Sequence, residues 1–357
     1  MYIIVHRKKV AVFLACAVLA TLLLVDIHVR EIASRVYRYV YQKTEIYCYR
    51  IKTNSLPDIS DVTPKKGKSI FFHETSCNSY LNGKITIGAR QACAVESAAR
   101  MNPNFDVYLL YASPGQFLFE GTQSDRLLKA LMSYENVNIL HLDYGKYTRG
   151  TPVEELYRKG LIENSYYALS HASDVLRYLT LWKYGGIYLD LDVIVIKSLE
   201  DLPLNFAGSE SERNVAAGVM GFAPNGIGHH LARTCLYDLK DNFDGHNWGH
   251  NGPGVITRLT KFLCGTDKVK EMAGRDCKGF TVYPTDAFYA VPWWNWKMYF
   301  DEDLAENVFN VSANSYVVHV WNKHSEQSKV PISSQMPYIL YAKRHCPKVV
   351  RECHEYF

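Results

Sequence analysis

The chain carries neither of the usual nucleotide fingerprints. It has no GxGxxG and no GxxxxGK(S/T), so it has no dinucleotide-binding turn and no P-loop to hold phosphates. It also has no CxxC pair and no Cys/His cluster at zinc-ligand spacing, which argues against a structural zinc. There is no internal repeat. With 22 glycines and 13 prolines in 357 residues there is no low-complexity stretch. A formal net charge of +4 is too small to argue for nucleic acid, and no nucleic-acid partner is expected. What is present is a 48% hydrophobic, 21% charged composition, enough for a sizeable core and incompatible with disorder or a disulfide-dense mini-protein. The length allows one large domain or two modest ones.

Residues 10–25, VAVFLACAVLATLLLV, are uncharged and are preceded by His6, Arg7, Lys8 and Lys9. A run of this kind is at the short end for a membrane-spanning helix, and the basic cluster places the N-terminus in the cytosol. The expectation is a single-pass type II anchor with the remainder luminal. The alternative is a cleaved signal peptide, but Ala15-Cys16-Ala17 lies too early in the apolar run to be its cleavage site. A short span suits the thinner membranes of the early secretory pathway. Cys16 lies in the span. The other eight cysteines are Cys48, Cys77, Cys93, Cys235, Cys264, Cys277, Cys346 and Cys353, an even luminal set that favours disulfides. Near-neighbour pairing is expected: Cys77 with Cys93, Cys264 with Cys277, and Cys346 with Cys353. Asn310-Val311-Ser312 is the N-glycosylation acceptor.

Residues 29–68 are rich in Tyr, Lys and Arg and then turn polar with Pro57, Pro64 and Gly67. They read as a stem, with an ordered extension of the domain as the alternative. From residue 69 strands and helices alternate. SIFFHETS (69–76), DVYLLYAS (106–113) and VNILHLD (137–143) read as strands, and residues 85–103 and 125–136 read as helices. Such alternation implies an α/β sheet covered on both faces, with ligands bound beyond the carboxyl ends of the strands.

SDVLRYLTLWKYGGIYLDLDVIVI (173–196) is the segment with chemistry in it. Ser173 reads as an N-cap, Asp174 as a first-turn acid, and Gly185-Gly186 as a left-handed stop. Residues 187–196 then alternate as one strand, with Tyr188, Asp190, Asp192 and Ile194 on a single face. Two carboxylates at i and i+2 repel unless something positive lies between or beyond them. A hard divalent cation meets that need, and one shared with a diphosphate also stabilises its departure. A bare Asp-x-Asp is usually only a solvated strand end. Here it follows a nearly uninterrupted apolar helix and strand.

The pattern SDxxRxxxLxxxGGxYxDxD resembles the DXD-containing sugar-transferase superfamily. FFHETS, RQACAVESAARMNP, NFAG, NGPGVITR and VVHVWNKHS narrow the likeness. Residues 69–345 resemble the animal α1,4-glycosyltransferase family of lactosylceramide 4-α-galactosyltransferase, its insect-type members most of all. The resemblance implies an α/β fold of GT-A type (a Rossmann-like mixed sheet flanked by helices), a UDP-sugar donor, Mn²⁺, and retention of anomeric configuration. Asp190 and Asp192 match the DXD that binds manganese and diphosphate. Asp174 and Arg177 match the SDxxR element that holds the donor sugar and the region near the metal. His319, on the alternating segment 315–325, is the candidate third ligand as a neutral imidazole. A lone strand histidine is more often a satisfied core residue. Lys323 and Asn322 are placed for the diphosphate, and Tyr188, Asn251 and Gly252 are further candidates for donor binding. Residues 247–258, with Asn251 and Gly252, read as a helix start suited to an anion or sugar hydroxyls, or simply as a tight turn. Residues 292–296, Pro-Trp-Trp-Asn-Trp, read as an acceptor-sugar platform or as core.

The expected organisation is a cytosolic tail (1–9), a signal-anchor helix (10–28) and a stem (29–68). A nucleotide-sugar-binding half (69–200) and an acceptor-side half (201–357) follow. The expected activity is transfer of galactose or N-acetylgalactosamine from its UDP donor, in α1,4 linkage, to a glycolipid acceptor resembling lactosylceramide. The expected place is the Golgi membrane, with self-association or association with other Golgi transferases left open. The alternatives are α1,4-N-acetylglucosaminyl transfer and a non-catalytic sugar-binding protein. Front-face substitution without a protein nucleophile is the expected mechanism. A covalent route would need a carboxylate on the far face of the sugar, and sequence does not place Glu210, Glu212 or Asp244.

Overall fold

The structure, a computed structural model, describes residues 45–357. The tail, the apolar span and the first part of the stem lie outside the described residues. Among the described residues no helix is long and apolar enough to cross a membrane. Of the segment read as a stem, residues 45–68 pack against the domain. Ile46, Cys48, Tyr49, Leu56 and Ile59 are buried there.

The chain begins with three β-α repeats. These are β1 (Ser69–Glu74), α1 (Ala89–Met101), β2 (Asp106–Tyr111), α2 (Gln123–Met132) and β3 (Val137–His141), then α3 (Ala168–Tyr184) and β4 (Gly186–Leu189). After them come β5 (Val193–Val195), β6 (Phe206–Ser209), β7 (Val215–Phe222), α4 (Gly226–Asn242) and α5 (Pro253–Cys264). The last described elements used here are β8 (Arg275–Asp276), β9 (Thr281–Tyr283), β10 (Val317–His319) and α6 (Pro337–His345). The main sheet has the order β3-β2-β1-β4-β7-β6-β9-β8, and β5 and β10 form a separate two-stranded sheet. β3, β2, β1 and β4 run parallel, whereas β7 is antiparallel to both β4 and β6. The sheet is therefore mixed.

Period-two alternation feeds two cores. Ile70 and Phe72 of β1, with Val107, Leu109 and Tyr111 of β2, join α1, α2 and α6 on one face. Phe71, Tyr108 and Leu110 join α3, α4 and α5 on the other. Strands buried on both faces read as near-continuous apolar runs, which is why β1 and β2 were legible, whereas β3 is a half-buried edge strand.

Three expectations change. Helix α3 starts at Ala168, so Ser173 and Asp174 lie inside it and cap nothing. The strand expected over 187–196 is two strands. β4 ends at Leu189, a turn carries residues 190–192, and β5 leaves the main sheet to pair antiparallel with β10. Gly185 does have positive φ (64°), but its ψ of −166° is extended rather than left-handed helical. Gly185 and Gly186 are obligatory for a steric reason: a Cβ would stand 2.6 Å from the Pro224 backbone and 2.4 Å from the Ser69 carbonyl respectively.

The disulfides are Cys48–Cys77, Cys93–Cys346 and Cys264–Cys277. Of the expected pairs only Cys264–Cys277 forms. Cys77 and Cys93 cannot meet because they lie in different cores, with the sheet between them. Cys93 instead reaches across 253 residues to Cys346 on its own face. Cys235 and Cys353 are buried and free. Thiol mapping of the non-reduced protein should return these three bonds. Cys93→Ser with Cys346→Ser should lower unfolding free energy by about 2–5 kcal/mol in a denaturant melt, because the long loop is released in the unfolded chain.

Candidate active site

The order β2-β1-β4 makes β1 the switch point of the parallel part of the sheet, where a crevice opens beyond the carboxyl ends of β1 and β4. A cavity of about 590 Å³ lies there. Asp190 stands just past β4. Its N–H pairs with the Gly218 carbonyl of β7 at 2.9 Å, the last ladder bond before the chain turns away. The carbonyl of Asp192 accepts from Val320 N–H at 3.0 Å, and its Oδ2 accepts from Asn322 N–H at 2.8 Å. Both aspartates are thus fixed through the backbone before any ligand arrives.

His319, the last residue of β10, is set opposite Val193 by the register of the small sheet. Its Nε2 lies 3.3 Å from Asp192 Oδ1 and 3.7 Å from Asp190 Oδ2. One ligand atom from each of these three residues falls within 4.8 Å of the others. Gly218 is what leaves room, since a Cβ there would stand 2.6 Å from Asp190 Oδ2 and 3.2 Å from His319 Nε2. Two carboxylates and one imidazole form a mostly oxygen donor set that fits a divalent cation of the Mg²⁺/Mn²⁺ kind.

Arg177 supplies the standing positive charge. It is buried in α3. Its Nη1 is 3.1 Å from Asp190 Oδ1 and donates to the Ala217 carbonyl at 2.9 Å. Its Nη2 is 3.2 Å from Asp174 Oδ1 and donates to Ser173 Oγ at 3.0 Å. The i, i+3 spacing read from the sequence is a real pair. Burial would raise the Asp190 carboxyl, but Arg177 and His319 outweigh it and hold it low. Asp174 is raised to about 7 because its burial outweighs Arg177. The backbone of Gly252 presses on Asp174, where a Cβ would come within 2.2 Å of Oδ1.

The remaining expected residues divide. Tyr188 lines the cavity, but its hydroxyl is committed to Asp190 Oδ1 at 2.8 Å. Lys323 lines the rim with its ammonium 3.2 Å above the centre of the Trp248 ring. Asn251 is buried, and both ends of its amide are used on the Asp244 backbone, at 3.0 and 2.7 Å. Gly252 accepts from the Tyr178 hydroxyl at 2.7 Å and acts as a spacer against Asp174. Of the aromatic run at 292–296, Trp293 reaches the cavity, stacked on His324, while Trp296 faces another hollow.

Sequence reasoning missed His73 and Glu74 at the end of β1. Both are buried and both line the cavity. Glu74 Oε1 accepts from Ser76 Oγ and N–H, while Oε2 has no partner among the described residues. Burial pushes its carboxyl up to about 7, and burial pushes His73 down to about 3 so that it stays neutral. The available signal was two polar residues closing a largely apolar, fully buried strand. Glu210, left unplaced above, also lines the cavity.

A mixed α/β sheet with an Asp-x-Asp turn and a converging histidine beyond its switch point defines a DXD sugar transferase. Residues 88–209 match the "glycosyltransferase sugar-binding region containing DXD motif" and residues 224–353 the "alpha 1,4-glycosyltransferase conserved region". Lactosylceramide 4-alpha-galactosyltransferase of Gorilla gorilla gorilla is 34% identical over 78% of this chain and 81% of that protein. For the Homo sapiens enzyme the identity is also 34%, over 78% and 75%. The Homo sapiens alpha-1,4-N-acetylglucosaminyltransferase is 27% identical over 73% and 75%. The chain belongs to the α1,4-glycosyltransferase family. Among solved structures, a galactosyltransferase with donor and acceptor sugar analogues aligns at 13% identity and a TM-score of 0.39, over 79% of this chain and 95% of that one.

Two measurements test this geometry. Arg177→Ala leaves Asp174 and Asp190 without their buried cation and should cost about 3–5 kcal/mol of stability in a chemical melt. A cation held by Asp190, Asp192 and His319 would have to displace the proton of His319, whose pKa the two carboxylates raise above the ordinary 6.5 against burial. Affinity for Mn²⁺ should therefore fall as pH drops, beginning above pH 6.5 and approaching roughly tenfold per unit in calorimetric titrations. His319→Ala should flatten that profile.

Proposed function

We infer that this chain transfers galactose or N-acetylgalactosamine from a UDP donor, with retention, in α1,4 linkage onto the glycan of a glycosphingolipid. The convergence of Asp190, Asp192 and His319 on one point, with Arg177 behind it, carries the reading. The relatives named for galactose transfer to lactosylceramide supply the sugar and the acceptor. A GT-A type fold, manganese as the metal, and a Golgi type II arrangement with the catalytic domain luminal belong to the same reading. So does the division into tail, anchor, stem, donor half and acceptor half at 1–9, 10–28, 29–68, 69–200 and 201–357.

Manganese on Asp190, Asp192 and His319 would act as a Lewis acid on the departing diphosphate. The chain's own residues do the rest. Arg177 fixes Asp190, and the Asn322 N–H fixes Asp192, so the ligands need little reorganisation. Lys323 at the rim adds a mobile positive charge for the diphosphate. Glu74 and Ser76 present hydrogen-bonding groups at the β1 end, which suits the polar edge of a nucleobase. Ala216, Ala217 and Gly218 make the wall beyond the metal site low and small. That wall also leaves room for a 2-acetamido group, and it keeps N-acetylglucosaminyl transfer as the second reading.

The test compares UDP-galactose, UDP-N-acetylgalactosamine and UDP-N-acetylglucosamine, with and without Mn²⁺, on a lactosyl acceptor. Manganese-dependent transfer from one of the first two is expected. Asp192→Asn should lower kcat/KM by at least about 10²-fold, because a ligand to the leaving-group cation is lost. Transfer at near wild-type rate by Asp192→Asn would sink the metal assignment, and no turnover with any donor would sink the enzyme reading.

A further inference from the structure

Four strands end along one edge of the cavity. In spatial order they are β1, β4, β7 and β6, and their cavity residues are Glu74, Asp190, Ala216–Gly218 and Glu210 respectively. Because β7 runs antiparallel to both neighbours, its amino end meets the carboxyl ends of β4 and β6. Neighbouring strands lie about 4.8 Å apart, so Glu74 and Glu210 bracket roughly 14 Å of crevice. A nucleoside diphosphate sugar laid along that edge has its diphosphate at Asp190 and Asp192 and its hexose over the small residues of β7. Glu210 is then the carboxylate at the far end, with the hexose between it and the leaving group.

The other two carboxylates that sequence left open do not compete. Glu212 is 77% exposed and pairs with Lys270. The Asp244 carboxylate accepts from the N–H of His246, and its backbone braces Asn251. Glu210 is held at the mouth of the β6–β7 hairpin, where its N–H donates to the Asn214 carbonyl at 2.9 Å. Tyr289 also lines the cavity. It interacts electrostatically with both Asp190 and Glu210, and its buried hydroxyl has no partner among the described residues.

We propose that Glu210 is the catalytic nucleophile of a two-step transfer, which rests on the retaining reading above. In the first step a Glu210 carboxylate oxygen bonds to the anomeric carbon. The bond from that carbon to the phosphate oxygen breaks, and its electron pair leaves with the diphosphate. In the second step the acceptor hydroxyl oxygen bonds to the same carbon from the face the diphosphate vacated. The ester bond to Glu210 breaks, its electron pair returns to the carboxylate, and the hydroxyl proton passes to a diphosphate oxygen. Two inversions give net retention. This replaces the front-face route expected from sequence, because the structure supplies the carboxylate that route was chosen for lacking.

The test uses the purified full-length protein with Mn²⁺. Wild-type protein incubated with the 2-deoxy-2-fluoro analogue of the UDP-sugar it uses, without acceptor, should gain the mass of one fluorosugar on the peptide containing Glu210. E210Q should keep its melting temperature and UDP affinity while kcat falls at least about 10²-fold. E210A given azide should release the β-glycosyl azide. E210Q turning over within about threefold of wild type overturns the proposal. So does a slowed E210Q with neither adduct nor azide product. The adduct experiment needs no variant, so a misfolded mutant does not shield the idea. Inverted product, or no transfer by wild-type protein from any donor, overturns the retaining reading itself and this proposal with it.

Discussion

Everything at the site depends on one buried guanidinium. Arg177 ties together three pieces of backbone at the cavity: its own helix through Asp174 and Ser173, the end of β4 through Asp190, and β7 through the Ala217 carbonyl. Burying a carboxylate without a partner costs several kcal/mol. Burying two around one cation is tolerable only with short, well-directed contacts. Gly252 and Gly218 permit those contacts by leaving out the Cβ that would strike Asp174 or Asp190. The arrangement leaves Asp192 outside the guanidinium's reach, with only His319 and a backbone N–H to offset it. The surplus negative charge therefore sits on the cavity side, where a cation is wanted.

The second constraint is the accounting of backbone hydrogen bonds around the Asp-x-Asp turn. Had residues 187–196 stayed in the main sheet, the two carboxylates would have pointed away from any partner on the C-terminal half. The chain instead leaves the sheet at Asp190 and pairs with β10, more than a hundred residues later. That exchange brings His319 to the carboxylates. Trp321, two residues on, takes φ of +55°, a costly conformation for a bulky side chain. It turns the chain so that Asn322 N–H reaches Asp192 and Lys323 reaches the rim. The Asp-x-Asp turn and the segment around His319 are thus held in place by each other.

Local signals were legible where one physical cause dominated. Double burial betrayed β1 and β2, the apolar residues of the half-buried edge strand betrayed β3, and the i, i+3 spacing of Asp174 and Arg177 survived intact. Non-local causes stayed hidden. The start of α3 at Ala168 follows from packing of residues 168–172 against the second core, which no cap residue announces. The break after β4 depends on a partner strand far along the chain. The disulfides depend on which face of the sheet each cysteine occupies, and sequence distance does not encode that. Asn251 looked like a ligand group because its neighbours are glycines. In the fold Gly252 makes room for Asp174, and the amide closes its own loop. Glu74 closes β1 and Glu210 follows β6, and an acid at a strand end ordinarily means only a solvated turn.

The layout across the strands also explains why the wall beyond the metal is built of small residues. Residues Ala216 to Gly218 line the cavity beside the turn that carries both aspartates, so added bulk there would narrow the space next to those carboxylates. At Gly218 the competition is steric and absolute, because Asp190 and His319 already occupy the space a Cβ would need. At Ala217 the carbonyl is taken by Arg177, so the strand cannot shift to relieve crowding. β7 is thereby pinned by the same cation that orients Asp190. The rim, where Trp248, Lys323 and Trp293 are exposed, carries no such constraint from Arg177.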